Sequence, residues 1–277
     1  AFCLVGAPRG LVKPHAVAGL SSNLLHSQLL GLAPRSQGVE LTVFALIHLH
    51  DEMRERWQLK PRTYSQDEVL GTLRNIISRE VHFKTGRFEF IDDPSCRNRV
   101  AQELIPCCSA SHKLQRVSGM LSLFWVDQAL AMVEVHERRN SVKFDWVVRS
   151  RPDLACAQVL PSLGQLRNHT IYATVKEKGE MWDVLFLIPS KFVRGFRTAS
   201  TFVAYQSPPR LADCLDTNRN KWPENALFDD LRSAKVPLER VPLACTLVRA
   251  TGASTAARDT EAECVSRLSA HAACAQK

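Results

Sequence analysis

The sequence contains no long apolar run, no Cys-x-x-Cys pair and no nucleic-acid-binding motif. None of its apolar stretches approaches the roughly 20 residues that a membrane-spanning helix requires. Zinc-finger spacing, the aromatic motif of RNA-binding domains and a basic zipper are all missing from the chain. These absences argue against a membrane span within the sequence, a cysteine-ligated zinc cluster and sequence-specific nucleic-acid binding.

The chain does have an ordinary globular composition with a surplus of positive charge. Hydrophobic residues make up 45% and charged residues 23% of the 277 residues, which is enough for one large domain with a sizeable core. The net charge of +8 is spread along the chain and is not gathered into a tail. Such a balance is typical of a solvated surface, and it favours an anionic ligand or an acidic partner over nucleic acid.

Cysteine usage favours an oxidising compartment. Nine scattered cysteines are more typical of disulfides than of a zinc site, and the odd count leaves at least one without a partner in the chain. Asn168-His169-Thr170 is a glycosylation sequon between a helix-like and a strand-like segment. Because the chain starts without Met in a strand-like segment, we expect that a signal or membrane anchor precedes it.

Strand-like and helix-like segments alternate along the chain, which predicts an α/β fold. Strands are predicted at Ala1–Val5, Val39–Leu49, Phe144–Val148, Thr170–Val175, Val184–Ile188 and Val241–Arg249, with a strand or hairpin around Thr85-Gly86 at Val81–Ile91. Helices are predicted at His15–Leu32, Glu52–Trp57, Gln66–Ile77, Lys113–Arg139, Leu160–Asn168, Ser190–Tyr205 and Trp222–Ala234. We assign residues 1–250 to one domain, and residues 251–277 to a loose tail or a strap held by Cys264 and Cys274.

The most informative strand end follows the apolar run Phe144–Val148. Pro152 should stop the hydrogen-bonded ladder of that strand, because proline lacks an N–H group. Arg149, Arg151 and Asp153 would then project from the carboxyl end of a strand, where open α/β sheets bind their ligands. From these residues alone, a structural ion pair at an ordinary strand end is an equally good interpretation.

These three side chains offer two ways of holding a diphosphate. The carboxylate of Asp153 could bind a divalent cation that bridges phosphate oxygens, although a single carboxylate supplies few of the oxygen ligands that such a cation needs. The guanidinium groups of Arg149 and Arg151 could instead neutralise the same oxygens directly. Both alternatives are open on the sequence alone.

A second candidate element follows the first predicted strand. The loop Gly6-Ala7-Pro8-Arg9-Gly10 could present backbone N–H groups, a guanidinium group and a helix amino terminus to a phosphate. It lacks the Gly-Lys-Ser/Thr ending of a Walker motif and the three glycines of a dinucleotide fingerprint. A plain strand-to-helix turn is therefore as good an interpretation.

Other positions carry side chains that are suited to metal binding or proton transfer. His48 and His50 have metal-ligand spacing at a strand end, but the remaining histidines supply no convincing further ligands, so lining of a polar cleft is favoured. Asp183 and Glu224 are candidates for the base that takes a proton from an acceptor hydroxyl. A glutamate in the first turn of a helix, such as Glu224, is also ordinary compensation of the helix dipole.

Taken in order, these segments resemble the nucleotide-sugar-dependent glycosyltransferases of the GT-A-like type, in particular a poorly characterised plant and algal group. The matching features are AFCLVGAPRG, VFALIHLHDE, the long helix that leads into FDWVVRSRPDL, GEMWDVLFLIP and WPENALFDDL. They cover most of residues 1–250, and the Arg-x-Arg-Pro-Asp strand end is the most specific of them.

The resemblance implies a single Rossmann-like α/β domain whose mixed, mainly parallel sheet is flanked by helices. It also implies a nucleotide-sugar donor, a glycan or glycoprotein acceptor, and a Golgi or ER lumenal location behind an amino-terminal anchor. Pro8 and Arg9 would lie near the nucleotide. Arg151 and Asp153 would stand at the usual Asp-x-Asp, with Asp153 as the ligand of a Mn²⁺ or Mg²⁺ ion. Arg151 replaces the first acidic residue there, which leaves metal dependence open.

Two other functions fit parts of the pattern. Gly-x-Pro-Arg-Gly after a first strand is similar to the phosphosulfate loop of sulfotransferases, but Leu11 and Val12 follow it where that loop uses hydroxyl side chains. A GT-A-like domain with one carboxylate at the motif could also be a non-catalytic binding or assembly subunit of a larger complex.

Overall fold

The computed structural model describes residues 1–9, 11, 40–51, 62–78, 83–92, 110–156, 160, 163–175, 181–201, 223–241 and 245–247. Within these ranges the strands are β1 Phe2–Gly6, β2 Leu41–His48, β3 His50–Asp51, β4 Arg62–Thr63, β5 Phe83–Ile91, β6 Trp146–Ser150, β7 Leu154–Cys156, β8 Ile171–Val175, β9 Met181–Pro189, β10 Leu238–Arg240 and β11 Cys245–Leu247. The α-helices are α1 Gln66–Ser78, α2 Ala110–Asn140, α3 Ser190–Thr201 and α4 Pro223–Ser233, and Leu163–Gln165 forms a short 3₁₀ helix.

Seven of these strands form one mixed, mainly parallel sheet in the order β10-β8-β9-β6-β1-β2-β5. Neighbouring strands are parallel except where β9 pairs with β6 and with β8. Two small sheets pair β11 with β7 and β3 with β4, both antiparallel. The predicted fold class, a mainly parallel sheet flanked by helices, is confirmed.

Apolar side chains on the two faces of the sheet form two separate cores. On one face, Val69 and Leu73 of α1 pack against inward-facing residues of β1 and β2. On the other face, Leu130 of α2, Phe196 of α3 and Phe228 of α4 share a core with alternate residues of the same strands. Because side chains alternate along a strand and both faces are buried, these strands appear in the sequence as continuous apolar runs.

Six of the seven strands, all except β9, run in the same direction and end at one edge of the sheet, which we call the carboxyl edge. Strands β6, β1, β2 and β5 run in the same direction, so the segments that follow Ser150, Gly6, His48 and Ile91 all begin there. Neighbouring strands are about 4.8 Å apart, so one ligand at this edge can contact several of these segments.

Most predicted elements in the described part of the chain are present, and the differences are local. Strand β6 begins and ends two residues later than predicted, which places Arg149 inside it. Strand β9 begins at Met181, so Asp183 lies within a strand and not before one. Strand β10 was missed. Of the last predicted strand, the described residues contain only the short β11.

The hairpin alternative for Val81–Ile91 is wrong. Residues Phe83–Ile91 form a single strand parallel to β2, with a register irregularity between Val43 and Ala45. Gly86 does not form a turn. It lets the backbone of β5 lie close to the ring of the buried Phe44, since a Cβ atom at Gly86 would be 2.6 Å from that ring.

Several predictions fall outside the described residues. They are the helices at His15–Leu32 and Glu52–Trp57, and the tail or strap at 251–277. Among the residues that are described, no helix combines the length and apolarity that crossing a membrane requires.

Candidate functional site

The segment after β1 is positioned by a glycine and a turn. Gly6 has φ of 128°, a backbone conformation that other residues rarely adopt. A Cβ atom at Gly6 would lie 3.7 Å from Cδ of Pro152, so this backbone passes close to the segment after β6. The N–H of Leu11 donates to the carbonyl oxygen of Pro8 at 2.8 Å, which closes a turn that contains Arg9.

The segment after β6 is held by its own backbone hydrogen bonds. The N–H of Arg151 donates to the carbonyl oxygen of Val184 in β9 at 3.1 Å. The N–H of Leu154 then donates to the carbonyl oxygen of Arg151 at 3.3 Å, so the chain turns at Pro152 after β6 has ended at Ser150. Asp153 lies in this turn at the carboxyl edge, and its side chain is fully buried.

Arg9, Arg151 and Asp153 meet at this edge. Arg151 donates from Nε to Oδ1 of Asp153 at 2.8 Å and from Nη2 to Oδ2 at 2.7 Å. Nη1 of Arg9 lies 3.7 Å from the same Oδ2 atom. The arginine side chains are 13% and 22% exposed, respectively. Two guanidinium groups therefore contact one buried carboxylate, in surroundings that screen charge poorly.

The residues at this cluster do not fit a divalent cation. Both carboxylate oxygens of Asp153 accept hydrogen bonds from Arg151, and Arg9 adds a second positive charge beside them. Mn²⁺ and Mg²⁺ need several oxygen ligands. Over the described ranges, no group of three or more His, Cys, Asp or Glu side chains is arranged to hold a metal ion. The donor set thus disagrees with the metal role expected for Asp153.

Arg149 lies inside β6 and not at its end. It is 2% exposed, and its neighbours in register are Cys3 of β1 and Phe186 of β9. Its Cζ atom is 5.8 Å from the centroid of the Phe186 ring, within the range of a cation–π contact. Alternation along the strand places it on the same face as Val147, toward the core of α2, α3 and α4. A role for Arg149 in donor binding stays a prediction.

The two candidate bases belong to different elements. Asp183 directly precedes Val184, whose carbonyl oxygen accepts from Arg151, so its backbone lies at the carboxyl edge. Glu224 is the second residue of α4, as the first-turn interpretation requires. The proton-accepting role of either residue stays a prediction.

His48 and His50 lie at the same edge, together with two polar residues that sequence analysis missed. Nε2 of His50 is 2.7 Å from Oδ1 of Asp92, and Nδ1 is 3.1 Å from Oγ1 of Thr63. Nδ1 of His48 donates to the carbonyl oxygen of His50 at 2.6 Å. Asp92 directly follows β5. Extending the rule for parallel strand ends to β5 would have identified it.

A separate cavity of about 650 Å³ lies between α2 and α3. It is lined by Val147 near the start of β6 and by Ser190 at the start of α3. The cavity therefore lies toward the edge of the sheet opposite Arg9 and Arg151. Of its three acidic residues, Asp127 and Glu134 pair with Arg197, and Glu137 pairs with Lys143. We place the candidate site at the carboxyl edge, because the strand ends and the ion cluster converge there and not at this cavity.

No protein-family model and no curated protein matches this sequence. Solved structures that are similar to the chain include mouse xyloside xylosyltransferase 1 in its apo form, at 9% identity over 86% of this chain and 83% of that chain with a TM-score of 0.38. The galactosyltransferase LgtC, in complex with donor and acceptor sugar analogs, shows 8% identity over 87% and 74% of the two chains with a TM-score of 0.41. The bifunctional glycosyltransferase WbbM in its apo form shows 12% identity over 87% of this chain and 46% of that chain, with a TM-score of 0.33. All three are glycosyltransferases, the class that the sequence motifs resemble, but TM-scores this low leave the functional assignment to the residues of this chain.

Proposed function

We propose that this chain is a glycosyltransferase, which moves a sugar from a nucleotide-sugar donor to a glycan or glycoprotein acceptor in the secretory pathway. The observation that supports this proposal most strongly is the convergence of Arg9 and Arg151 on Asp153 at the carboxyl edge. The two arginines come from segments 142 residues apart in the sequence, since they follow β1 and β6, and they meet where a mainly parallel sheet binds its ligands.

Glycosyl transfer requires stabilisation of the leaving nucleoside diphosphate. The acceptor oxygen forms a bond to the anomeric carbon as the bond from that carbon to the diphosphate oxygen breaks, and the electron pair leaves with the diphosphate. Guanidinium groups placed beside that oxygen stabilise its developing charge, which typically contributes about 3–4 kcal/mol per donor group in a water-excluded site. Arg9 and Arg151 supply this function in the proposal.

The proton released by the acceptor hydroxyl needs a base. Asp183 is the first candidate, because its backbone borders the Arg151 segment at the carboxyl edge. Glu224 is the second, from the first turn of α4. We propose no metal-dependent step, because the residues at Asp153 do not fit a cation.

The secretory location is part of the proposal, with an amino-terminal anchor in the full-length protein. Asn168 of the predicted sequon is exposed in a turn, which suits an N-linked glycan. Cys156 and Cys245 are partners in register across β7 and β11, which supports a disulfide between them. In protein secreted from eukaryotic cells, we expect enzymatic deglycosylation to lower the mass of the wild type but not that of Asn168→Gln. We also expect a disulfide-linked peptide that contains Cys156 and Cys245 in non-reducing digests.

The proposed function is tested by thermal denaturation with nucleotides. We expect uridine diphosphate or guanosine diphosphate to raise Tm, and Arg151→Ala to remove the shift. Turnover is then measured as release of nucleoside diphosphate from a panel of nucleotide sugars, with Asp183→Asn and Glu224→Gln to separate the candidate bases. Stabilisation by adenosine 3′,5′-bisphosphate alone would indicate a sulfotransferase instead.

A second candidate function is a non-catalytic binding or assembly subunit. The observation that favours it is the single carboxylate of the cluster, whose two oxygens are already engaged by Arg151. Absence of any Tm shift with all three nucleotides would favour this candidate over the enzyme.

A further inference from the structure

We propose that the cluster of Arg9, Arg151 and Asp153 binds the diphosphate of its ligand without a divalent cation, and that Asp153 acts as a positioning residue for Arg151 and not as a metal ligand. The inference rests on the proposed function, since it concerns how the same site holds its nucleotide. It changes the chemical character of the site, because direct guanidinium contacts replace the usual carboxylate–metal–phosphate bridge.

The geometry of the Arg151–Asp153 pair carries the inference. Nε and Nη2 of the planar guanidinium group engage the two carboxylate oxygens at 2.8 Å and 2.7 Å, which fixes the orientation of its plane. The backbone of this turn is also anchored to β9, because the N–H of Arg151 donates to the carbonyl oxygen of Val184. A fully buried carboxylate held in this way sets the direction in which Arg151 presents its charge.

Charge makes the same cluster unfavourable for a divalent cation. A metal cation at Asp153 would have to replace the two charge-assisted hydrogen bonds from Arg151. It would also lie beside two guanidinium groups that repel it, since Nη1 of Arg9 is 3.7 Å from Oδ2 of Asp153. A diphosphate meets the opposite situation, because both guanidinium groups attract its negative charge. Burial strengthens both effects, since the arginine side chains are at most 22% exposed.

The ranking of variants separates a positioning residue from a metal ligand. If Asp153 only positions Arg151, Asp153→Asn keeps both guanidinium groups and weakens nucleotide binding less than Arg151→Ala does. If Asp153 holds a metal, Asp153→Asn weakens binding more, and only when metal is present. Arg151→Lys keeps the charge but cannot make the bidentate contact, so we expect it to fall between wild type and Arg151→Ala. Arg9→Ala tests the second guanidinium group without removing the partner of Asp153.

The experiment is isothermal titration calorimetry of uridine diphosphate and guanosine diphosphate into the full chain, first with EDTA and then with Mn²⁺. Folding of every variant is checked by circular dichroism. Arg194→Ala is the matched control, because it removes one positive charge from an exposed site on α3 near the opposite edge of the sheet.

We expect a Kd in EDTA within about twofold of the Kd in Mn²⁺, no heat from Mn²⁺ alone, and a loss of at least about tenfold in affinity for Arg151→Ala but not for Arg194→Ala. Binding that requires Mn²⁺, or a greater loss for Asp153→Asn than for Arg151→Ala, would overturn the inference and leave nucleotide binding intact. Absence of binding by both nucleotides under both conditions would overturn the proposed function itself.

Discussion

Arg151 holds both carboxylate oxygens of Asp153, two residues further along the chain, across a turn at Pro152. The pair closes the segment after β6 on itself at the edge where the six parallel strands end. Arg9, from the segment after β1, contacts the same carboxylate and so ties two strand ends together. The pair is therefore both part of the fold at this edge and the centre of the candidate site.

The stability of the fold should depend on Arg151 and Asp153 as a unit. Arg151→Ala removes the bidentate partner of a fully buried carboxylate, and we expect a loss of about 3–5 kcal/mol in the free energy of unfolding. The double variant with Asp153→Ala should lose less than the sum of the two single variants, by about 1 kcal/mol or more. Urea denaturation of the four proteins measures this coupling. Strictly additive losses would show that the ion pair has no energetic role.

Gly6→Ala should strain the segment that carries Arg9. With φ at 128°, a side chain at this position is expected to cost about 1–3 kcal/mol. We also expect a smaller nucleotide-induced rise in Tm, because the turn from Pro8 to Leu11 follows directly. Gly195→Ala in α3 is the control, since a Cβ atom there meets nothing within 4 Å. Equal effects of the two substitutions on the nucleotide-induced Tm shift would contradict this account of the segment.

Gly86→Ala should destabilise the sheet by overpacking. Its Cβ atom would lie 2.6 Å from the ring of Phe44, which is fully buried and makes edge contacts with His136 and Phe144. We expect a loss of about 1–3 kcal/mol by urea denaturation. The matched substitution Gly71→Ala in α1, where a Cβ atom has open space, should instead stabilise the protein by up to about 1 kcal/mol. Stabilisation by both would be inconsistent with the close approach of β5 to Phe44.

The buried thiol of Cys3 should make stability fall at alkaline pH. Burial raises the pKa of Cys3 to about 12, above the ordinary value of about 8.5 in the unfolded chain. Below the unfolded value both states keep the proton, and no dependence on this group is expected. As pH rises between the two values, the unfolded state loses the proton first, so the free energy of unfolding falls by up to about 1.4 kcal/mol per pH unit.

Urea denaturation from about pH 8 to about pH 10.5 measures this slope against Cys3→Ala, which lacks the titrating group. The wild type should lose stability more steeply than the variant over this range, even though the variant starts less stable. Parallel curves would contradict the burial of a protonated thiol at this position.

The fold could be predicted from the sequence because the strands that are buried on both faces appear as apolar runs, and the long helix α2 has an unbroken helical pattern. The convergence of Arg9, Arg151 and Asp153 could be predicted as well, since parallel strands end at one edge and Pro152 marks where β6 must stop. The rule needs only the direction of the strands, which alternation with helices already indicates.

Details that depend on register or on distant contacts could not be predicted. A shift of two residues in the bounds of β6 moves Arg149 from the strand end into the interior, and apolar pattern alone does not fix bounds so closely. The strand-end rule could have placed Asp92 at the carboxyl edge, but the sequence does not show that its side chain contacts His50, 42 residues earlier. Gly86 looked like a turn because the sequence does not show the Phe44 ring that lies across it.

The most direct test of the account is a crystal structure of the full chain with uridine diphosphate or guanosine diphosphate, grown in the presence of EDTA. We expect the diphosphate at the carboxyl edge, with its oxygens within hydrogen-bonding distance of the guanidinium groups of both Arg9 and Arg151. A nucleotide bound elsewhere, such as the cavity between α2 and α3, or a diphosphate that touches neither arginine, would contradict the account.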